Sequence, residues 1–263
     1  MKTVFPISLI VFLLAACAQV PISGRKQMNL NSEQDLIAMS KTEYDKFLAS
    51  SDVVQYGSQK EMIQNVGQKL AAATEQFLAT QHASKRLEGF EWEFNLVNSD
   101  QLNAWCMPGG KICFYTGILD VCQDETGIAV VMGHEIAHAI ARHGNERMSK
   151  GAMVNLGGQA LGVAISQKSE AAQTLLLQTY GVASQVGMLK YSRNHELEAD
   201  MMGLVFMQLA GYDAQKAVDF WKRMAANGSG GLEILSTHPS DETRVAEIEK
   251  FLASEDFKKY TSK

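Results

Sequence analysis

The 263-residue chain reads as an α+β protein dominated by helices. Three observations predict this. Apolar residues recur at helical spacing through most of the chain. Strand-like alternation is confined to residues 90–116. The composition, 46% hydrophobic and 20% charged, is that of a folded globular protein, too apolar for a disordered one. No internal repeat of 20–50 residues is visible.

The elements follow in order. Residues 31–48 carry Leu36, Ile37, Met39, Tyr44, Phe47 and Leu48 among polar residues, a helical pattern. Residues 57–80 place Met62, Ile63, Val66, Leu70 and Ala73 on one face of a second helix. Phe90 to Val97 alternates apolar and polar and predicts a strand. A Pro-Gly-Gly break at 108–110 precedes a second strand, Lys111 to Thr116. A helix is predicted over 126–150. The uncharged, glycine-rich run 151–166 reads as a buried helix, with a mobile cover or a lipid-facing surface as alternatives; at 16 residues it is short for a membrane span. Helices over 194–212 and 213–226, the loop "NGSGG" and a last helix with Pro239 in its first turn complete the chain.

The first residues, "MKTVFPISLIVFLLAAC", read as a signal peptide: Lys2, a short apolar run from Val4 to Leu14, then small residues. Leu14-Ala15-Ala16-Cys17 resembles a bacterial lipobox, which implies lipid attachment at Cys17. Ala18 after the cysteine points, by the same resemblance, to the outer membrane. Removal of residues 1–16 leaves 23 basic against 29 acidic side chains, a net charge of −6. With no basic run, nucleic acid is not an expected partner. Cys106 and Cys113 flank the Pro-Gly-Gly break; a disulfide between them and a pair of buried free thiols are both open.

The stretch "VVMGHEIAHAIARHGNER" carries the chemistry. His134 and His138 are four residues apart, on one helical face, so both can approach one ion. Glu135 is offset by about 100°, beside that ion, where a base acting on water belongs. The surrounding residues, Ile128 to Met132 and Ile136 to Ile140, are nearly all apolar, so the trio is buried and needs something to satisfy it. His-Glu-x-x-His on a helix is a metallopeptidase signature, and zinc with three protein ligands and an open position would serve. His143, five residues past His138 and about 140° round a continuous helix, is expected to point elsewhere. Gly144 stands where a metzincin needs its third histidine. A glutamate from "HELEAD" is the remaining source of a third ligand, from Glu196 or Glu198.

"ELEADMMG" resembles the Glu-x-x-Ala-Asp motif of the HtpX-like and CAAX-prenyl-protease-like zinc metallopeptidases, a gluzincin group. The resemblance implies one zinc ion per chain, held by His134, His138 and Glu196. Asp200, one turn on, would accept a hydrogen bond from a ligand histidine. Glu198 is expected at the surface or in packing, and His195 is incidental. Asn103, Ala104, Pro108, Gly109 and Gly110 match the group's Asn-Ala-x-x-x-Pro-Gly-Gly element. That implies a following strand that runs along the cleft as an edge and holds extended peptide. "THPSDETR" resembles the group's late His-Pro-Ser-x-x-x-Arg element. It implies that His238 and Arg244 approach the zinc to stabilise the oxyanion, or that His238 caps the metal in a resting state.

The resemblance covers residues 90–250. In layout it is nearest to small periplasmic lipoproteases, LoiP-like, and to the protease half of BepA-like proteins. The expected organisation is a signal peptide over 1–16, a lipidated tether over 17–30, N-terminal helices over 31–84, a zinc metallopeptidase domain over 85–254 and a tail over 255–263. The expected function is an endopeptidase of the bacterial cell envelope, lipid-anchored to the outer membrane and facing the periplasm. Its substrates would be unfolded or misassembled proteins, and outer-membrane assembly factors are candidate partners. The alternative is an envelope chaperone or assembly factor that uses the same cleft to bind extended chains.

Overall fold

The computed structural model describes residues 17–226 and 242–262. The signal-peptide reading of residues 1–16 and the assignment of His238 lie outside them. The chain opens with a hairpin, β1 (Cys17–Gln19) and β2 (Lys26–Met28), paired antiparallel. Helices α1 (Glu33–Ala49) and α2 (Ser58–Thr80) follow, then strands β3 (Glu93–Val97), β4 (Ala104–Met107) and β5 (Lys111–Tyr115). The short α3 (Leu119–Cys122) leads into α4 (Glu125–Ile140), α5 (His143–Ala164) and the 40-residue α6 (Glu170–Leu209). Helices α7 (Lys216–Ala226), α8 (Glu242–Leu252) and α9 (Glu255–Thr261) close the described chain.

The sheet order is β3-β5-β4, with β3 parallel and β4 antiparallel to β5. Period-two alternation divides its side chains between two faces. Phe94, Leu96, Ile112, Phe114 and Ala104 join the main core with α2, α4 and α6. Val97, Cys113 and Tyr115 form a second cluster with Tyr44 of α1, and Phe47 and Trp105 pack against it. Gly67 lets the Phe94 ring lie directly on α2, where a methyl group would collide with it. The expected edge strand after the Pro-Gly-Gly break is the central strand instead: every residue of β5 is buried. The strand before the break, β4, is an edge strand. Gly109 and Gly110, at φ +87° and +79°, make the turn between them, a conformation glycine adopts without strain.

The register decides the cysteine question. Cys106 opposes Ile112 and Cys113 opposes Trp105, so the two thiols project from opposite faces of the sheet. Cys106, Cys113 and Cys122 are free.

Two helical readings change. The predicted helix 126–150 breaks after Ile140: Arg142 takes a left-handed conformation, φ +58° and ψ +35°, and α5 starts at His143 in a new direction. The run 151–166 is not a buried helix. It lies on an arm made by α5 and the first half of α6, where Met153, Leu156, Val163, Leu175, Leu176, Leu177, Val182 and Leu189 are exposed. Tyr180 of α6 donates to the Val154 carbonyl across the arm at 2.8 Å. Among the described residues no helix is long and apolar enough to cross a membrane.

Residues 17–30 are structured as well. Val20 and Gln27 are buried, and the hairpin helps to seal the end of α4: Gln27 Nε2 donates to the Ala141 carbonyl at 2.6 Å, while Arg86, from the turn after α2, donates through Nη1 to the Ile140 carbonyl at 2.7 Å. These carbonyls are among those a helix leaves without an internal partner at its C-terminus.

Candidate metal centre

Two helices build the centre. Helix α4 starts at an Asp124 cap, whose carboxylate accepts from Gly127 N at 2.9 Å, and runs buried to Ile140. The second half of α6 packs across it. The closest approach is at Gly133 and Gly203, where a Cβ added at Gly203 would stand 2.8 Å from Gly133 C and His134 N. That contact brings the buried face of α6, with Glu196 and Asp200, to the level of His134 and His138.

His134 Nε2 lies 3.0 Å from His138 Nε2, and the Glu196 carboxylate lies 3.3 Å from the first and 3.5 Å from the second. The three ligand atoms fall within 4.8 Å of one another, and all three residues are buried. Burial lowers the His134 imidazolium, but hydrogen bonds to Asp200 and Glu196 outweigh it and carry the group up to about 9. Burial pushes His138 well below its ordinary value, so its imidazole is neutral. Two imidazole nitrogens and a carboxylate that converge where all three residues are buried favour a cation between them. This donor set, two histidines and one glutamate, suits zinc with an open fourth position.

The surroundings fix His134. Its Nδ1 faces Asp200 Oδ1 at 2.9 Å, so Nδ1 carries a hydrogen, and a cation that displaces the second proton would meet the Nε2 lone pair. Arg244 of α8 grips Asp200 in turn, Nε to Oδ2 at 2.6 Å and Nη2 to Oδ1 at 2.7 Å. Its guanidinium lies 3.5 Å over the Trp221 ring and is only 2% exposed, and Nη1 is 3.9 Å from Glu196. Burial raises the Asp200 carboxyl, but Arg244 and His134 outweigh it and leave it below the ordinary carboxylate range. Arg244 thus lies beside the cluster with its guanidinium engaged by Asp200.

Glu135 is buried one step round α4, beside a cavity of about 190 Å³. His138 lines the same cavity, and so do Trp105 and Cys106 of β4 and Pro108 of the turn. The Asn103–Gly110 element thus reaches the cavity beside Glu135 and His138, through β4 and Pro108.

Three residues expected elsewhere belong to this neighbourhood. His143 does not point away: its Nδ1 is 2.8 Å from His138 Nδ1. The left-handed Arg142 breaks the helix and turns His143 back toward α4. Glu198 is buried, with Oε2 2.8 Å from His143 Nε2. Its carboxyl is raised by burial but held at about 2 by hydrogen bonds from His143, Arg25 and Ser23. His195 is buried too, stacked on His143 with ring centroids 4.0 Å apart and 3.2 Å from Glu146. Arg25, which carried no sequence signal, bridges Glu146 and Glu198 at 2.9 and 2.7 Å. Two histidines and three glutamates in "RHGNER" and "HELEAD" are a dense buried polar set, and that density is the signal that could have found them.

The chain is similar in sequence to known proteins. The chain is 34% identical over 179 residues to the mitochondrial metalloendopeptidase OMA1 of Schizosaccharomyces pombe, covering 67% of this chain and 51% of that protein. It is 35% identical over 177 residues to the Saccharomyces cerevisiae protein of the same name, covering 63% and 48%. It is 31% identical over 166 residues to the beta-barrel assembly-enhancing protease of Escherichia coli, covering 59% and 33%. The chain spans about half the length, or less, of these relatives. They overturn the expected location at the bacterial outer membrane: relatives matched over about two thirds of the chain are mitochondrial by name. The model of peptidase family M48 matches residues 58–252, from α2 through both ligand helices to α8. With that match over most of its length, which spans both helices that carry the His134, His138 and Glu196 cluster, the chain belongs to peptidase family M48.

Proposed function

We propose that the protein is a zinc-dependent endopeptidase that cleaves extended segments of unfolded or misassembled proteins. The observation that carries the reading is the convergence of His134, His138 and Glu196 beside a cavity lined by Glu135 and the edge strand β4. His134, His138 and Glu196 hold the metal. When bound there, zinc supplies Lewis acidity, polarising a carbonyl and lowering the pKa of water toward neutrality. Glu135 takes the proton of the attacking water and delivers it to the leaving amine. The outer edge of β4, with Asn103 and Ala104 at its start, pairs with substrate backbone, which gives affinity without strong sequence preference. Asp200 orients His134, and Arg244 acts through Asp200 rather than on the oxyanion. That role is supported by its two hydrogen bonds to the carboxylate. His238 is assigned by resemblance as the oxyanion donor. The substrate class rests on likeness to proteases of known name.

Glu135→Gln is the decisive variant. Casein cleavage should fall by about 10²–10⁴-fold while zinc content, measured by elemental analysis, stays at the wild-type level. Undiminished cleavage with zinc retained would remove the peptidase reading. Retained binding of unfolded casein without any cleavage by the wild type would favour a holding role. Lipid attachment at Cys17 is a separate proposal, and incorporation of labelled fatty acid that is lost in Cys17→Ser tests it.

A further inference from the structure

His134 Nδ1 faces the Asp200 carboxylate, whereas His138 Nδ1 faces the imidazole of His143. Behind His143 a run of hydrogen bonds leads out to the N-terminal hairpin. His138 Nδ1 faces His143 Nδ1 at 2.8 Å, and His143 Nε2 faces Glu198 Oε2 at 2.8 Å. Glu198 accepts from Arg25 Nη2 at 2.7 Å, from Arg25 Nε at 3.1 Å and from the Ser23 hydroxyl. The second arm of Arg25 grips Glu146 of α5, Nη1 to Oε1 and Nη2 to Oε2, both at 2.9 Å. His195 lies flat against His143, within 9° of parallel, and limits rotation of its ring. Ser23, Arg25 and Gln27 alternate along the hairpin, and all three reach the break between α4 and α5 or its partners.

The direction of the run follows from donor and acceptor chemistry. An ionised carboxylate only accepts, and a neutral imidazole carries one N–H and one bare nitrogen. Glu198 therefore places the His143 hydrogen on Nε2. That leaves His143 Nδ1 bare, able only to accept. His138 must then carry its hydrogen on Nδ1, and its Nε2, 3.0 Å from His134 Nε2, is left with a lone pair directed at the centre. The reverse polarity would put a hydrogen on His138 Nε2, where the metal belongs. We infer that Glu198, acting through His143, sets the tautomer in which His138 presents a bare Nε2 to the metal, and that Arg25 of the N-terminal hairpin is the positioning residue that aims Glu198. The inference rests on the reading of His134, His138 and Glu196 as the metal ligands. Two carboxylates of one helix then orient the two ligand histidines: Asp200 directly, Glu198 through an intervening imidazole.

Two measurements test it, neither of them peptidase activity. Long-range ¹⁵N–¹H correlation spectra of zinc-loaded, ¹⁵N-histidine-labelled wild type should show His143 as the Nε2–H tautomer and His138 as Nδ1–H with Nε2 bound. A His143 that carries its hydrogen on Nδ1 overturns the inference. Zinc release to the chelator 4-(2-pyridylazo)resorcinol should be about 10- to 100-fold faster in Glu198→Gln and Arg25→Ala than in wild type. Release at the wild-type rate from a Glu198→Gln protein that holds one zinc overturns the relay and leaves the metal centre standing. Wild type that binds no zinc removes both. Because the spectra are taken on wild type, the inference can fail even if the variants do not fold.

Discussion

Arg244 holds Asp200 by two parallel hydrogen bonds, Nε to Oδ2 at 2.6 Å and Nη2 to Oδ1 at 2.7 Å, across 44 residues of sequence. Asp200 passes that constraint to His134 at 2.9 Å. The fork is specific to a guanidinium. Arg244→Lys keeps the charge but loses the fork, and zinc affinity, read by chelator competition, should fall about 10- to 100-fold. An oxyanion role for Arg244 would instead lower kcat and leave zinc affinity unchanged. Arg244→Ala leaves a buried carboxylate without its cation and should cost about 3–5 kcal/mol in urea denaturation.

The contact between Gly133 and Gly203 sets the spacing of the ligand helices. A methyl group at Gly203 would stand 2.8 Å from two backbone atoms of α4, which cannot move aside as a side chain can. Gly203→Ala should therefore destabilise the protein by about 1–3 kcal/mol and weaken zinc binding with it. Gly162 on the exposed arm meets nothing within 4 Å, and Gly162→Ala should stabilise by about 0.5–1 kcal/mol through helix propensity alone. Urea titration of the two variants gives opposite signs if the argument holds.

Removal of the metal should lower the melting temperature. Zinc binds the assembled triad and not the unfolded chain, so a 100- to 1,000-fold excess over Kd adds about 3–4 kcal/mol. For a chain of this size that corresponds to a loss of about 5–15 °C after chelation, recovered on adding zinc. Glu196→Gln should melt at one temperature with or without chelator.

The buried thiols give a pH test. Burial pushes Cys113 up to about 12 and raises Cys122 as well. A raised pKa means less thiolate at a given pH, and the thiolate is the species that alkylates. At pH 9 an ordinary cysteine is about half ionised or more. Cys113 and Cys122 should remain unlabelled by iodoacetamide at that pH and become labelled in 6 M guanidinium, as read by peptide mass mapping. Labelling of Cys113 in the folded state at pH 9 would contradict its place between α1 and the sheet.

The local patterns were legible without coordinates. The spacing of His134 and His138 is a property of one helix, and an i, i+4 pair shares a face wherever that helix packs. Helices α1 and α2 and strands β3 and β5 follow from apolar periodicity within two or three residues of their observed ends. Glu196 and Asp200 came from a motif, since no periodicity selects one glutamate of "HELEAD" over another. The strand order was not legible: which strand is the edge depends on pairing between segments, and β5 is central because both β3 and β4 bond to it.

What tertiary structure alone decided is the support behind His138. A continuous helix would carry His143 about 140° away from His138. One left-handed residue, Arg142, cancels that geometry, and it is held in place by Gln27 and Arg86 at the carbonyls of Ala141 and Ile140. Likewise the density of "HELEAD" does not say which residues Glu198 meets; its partners are Arg25, 173 residues earlier, and His143, 55 residues earlier. Sequence carried the residues that touch one another through a single helix. The ion pairs and hydrogen bonds that orient them join separate elements, and only the packing of α4, α5, α6 and the hairpin brings those elements together.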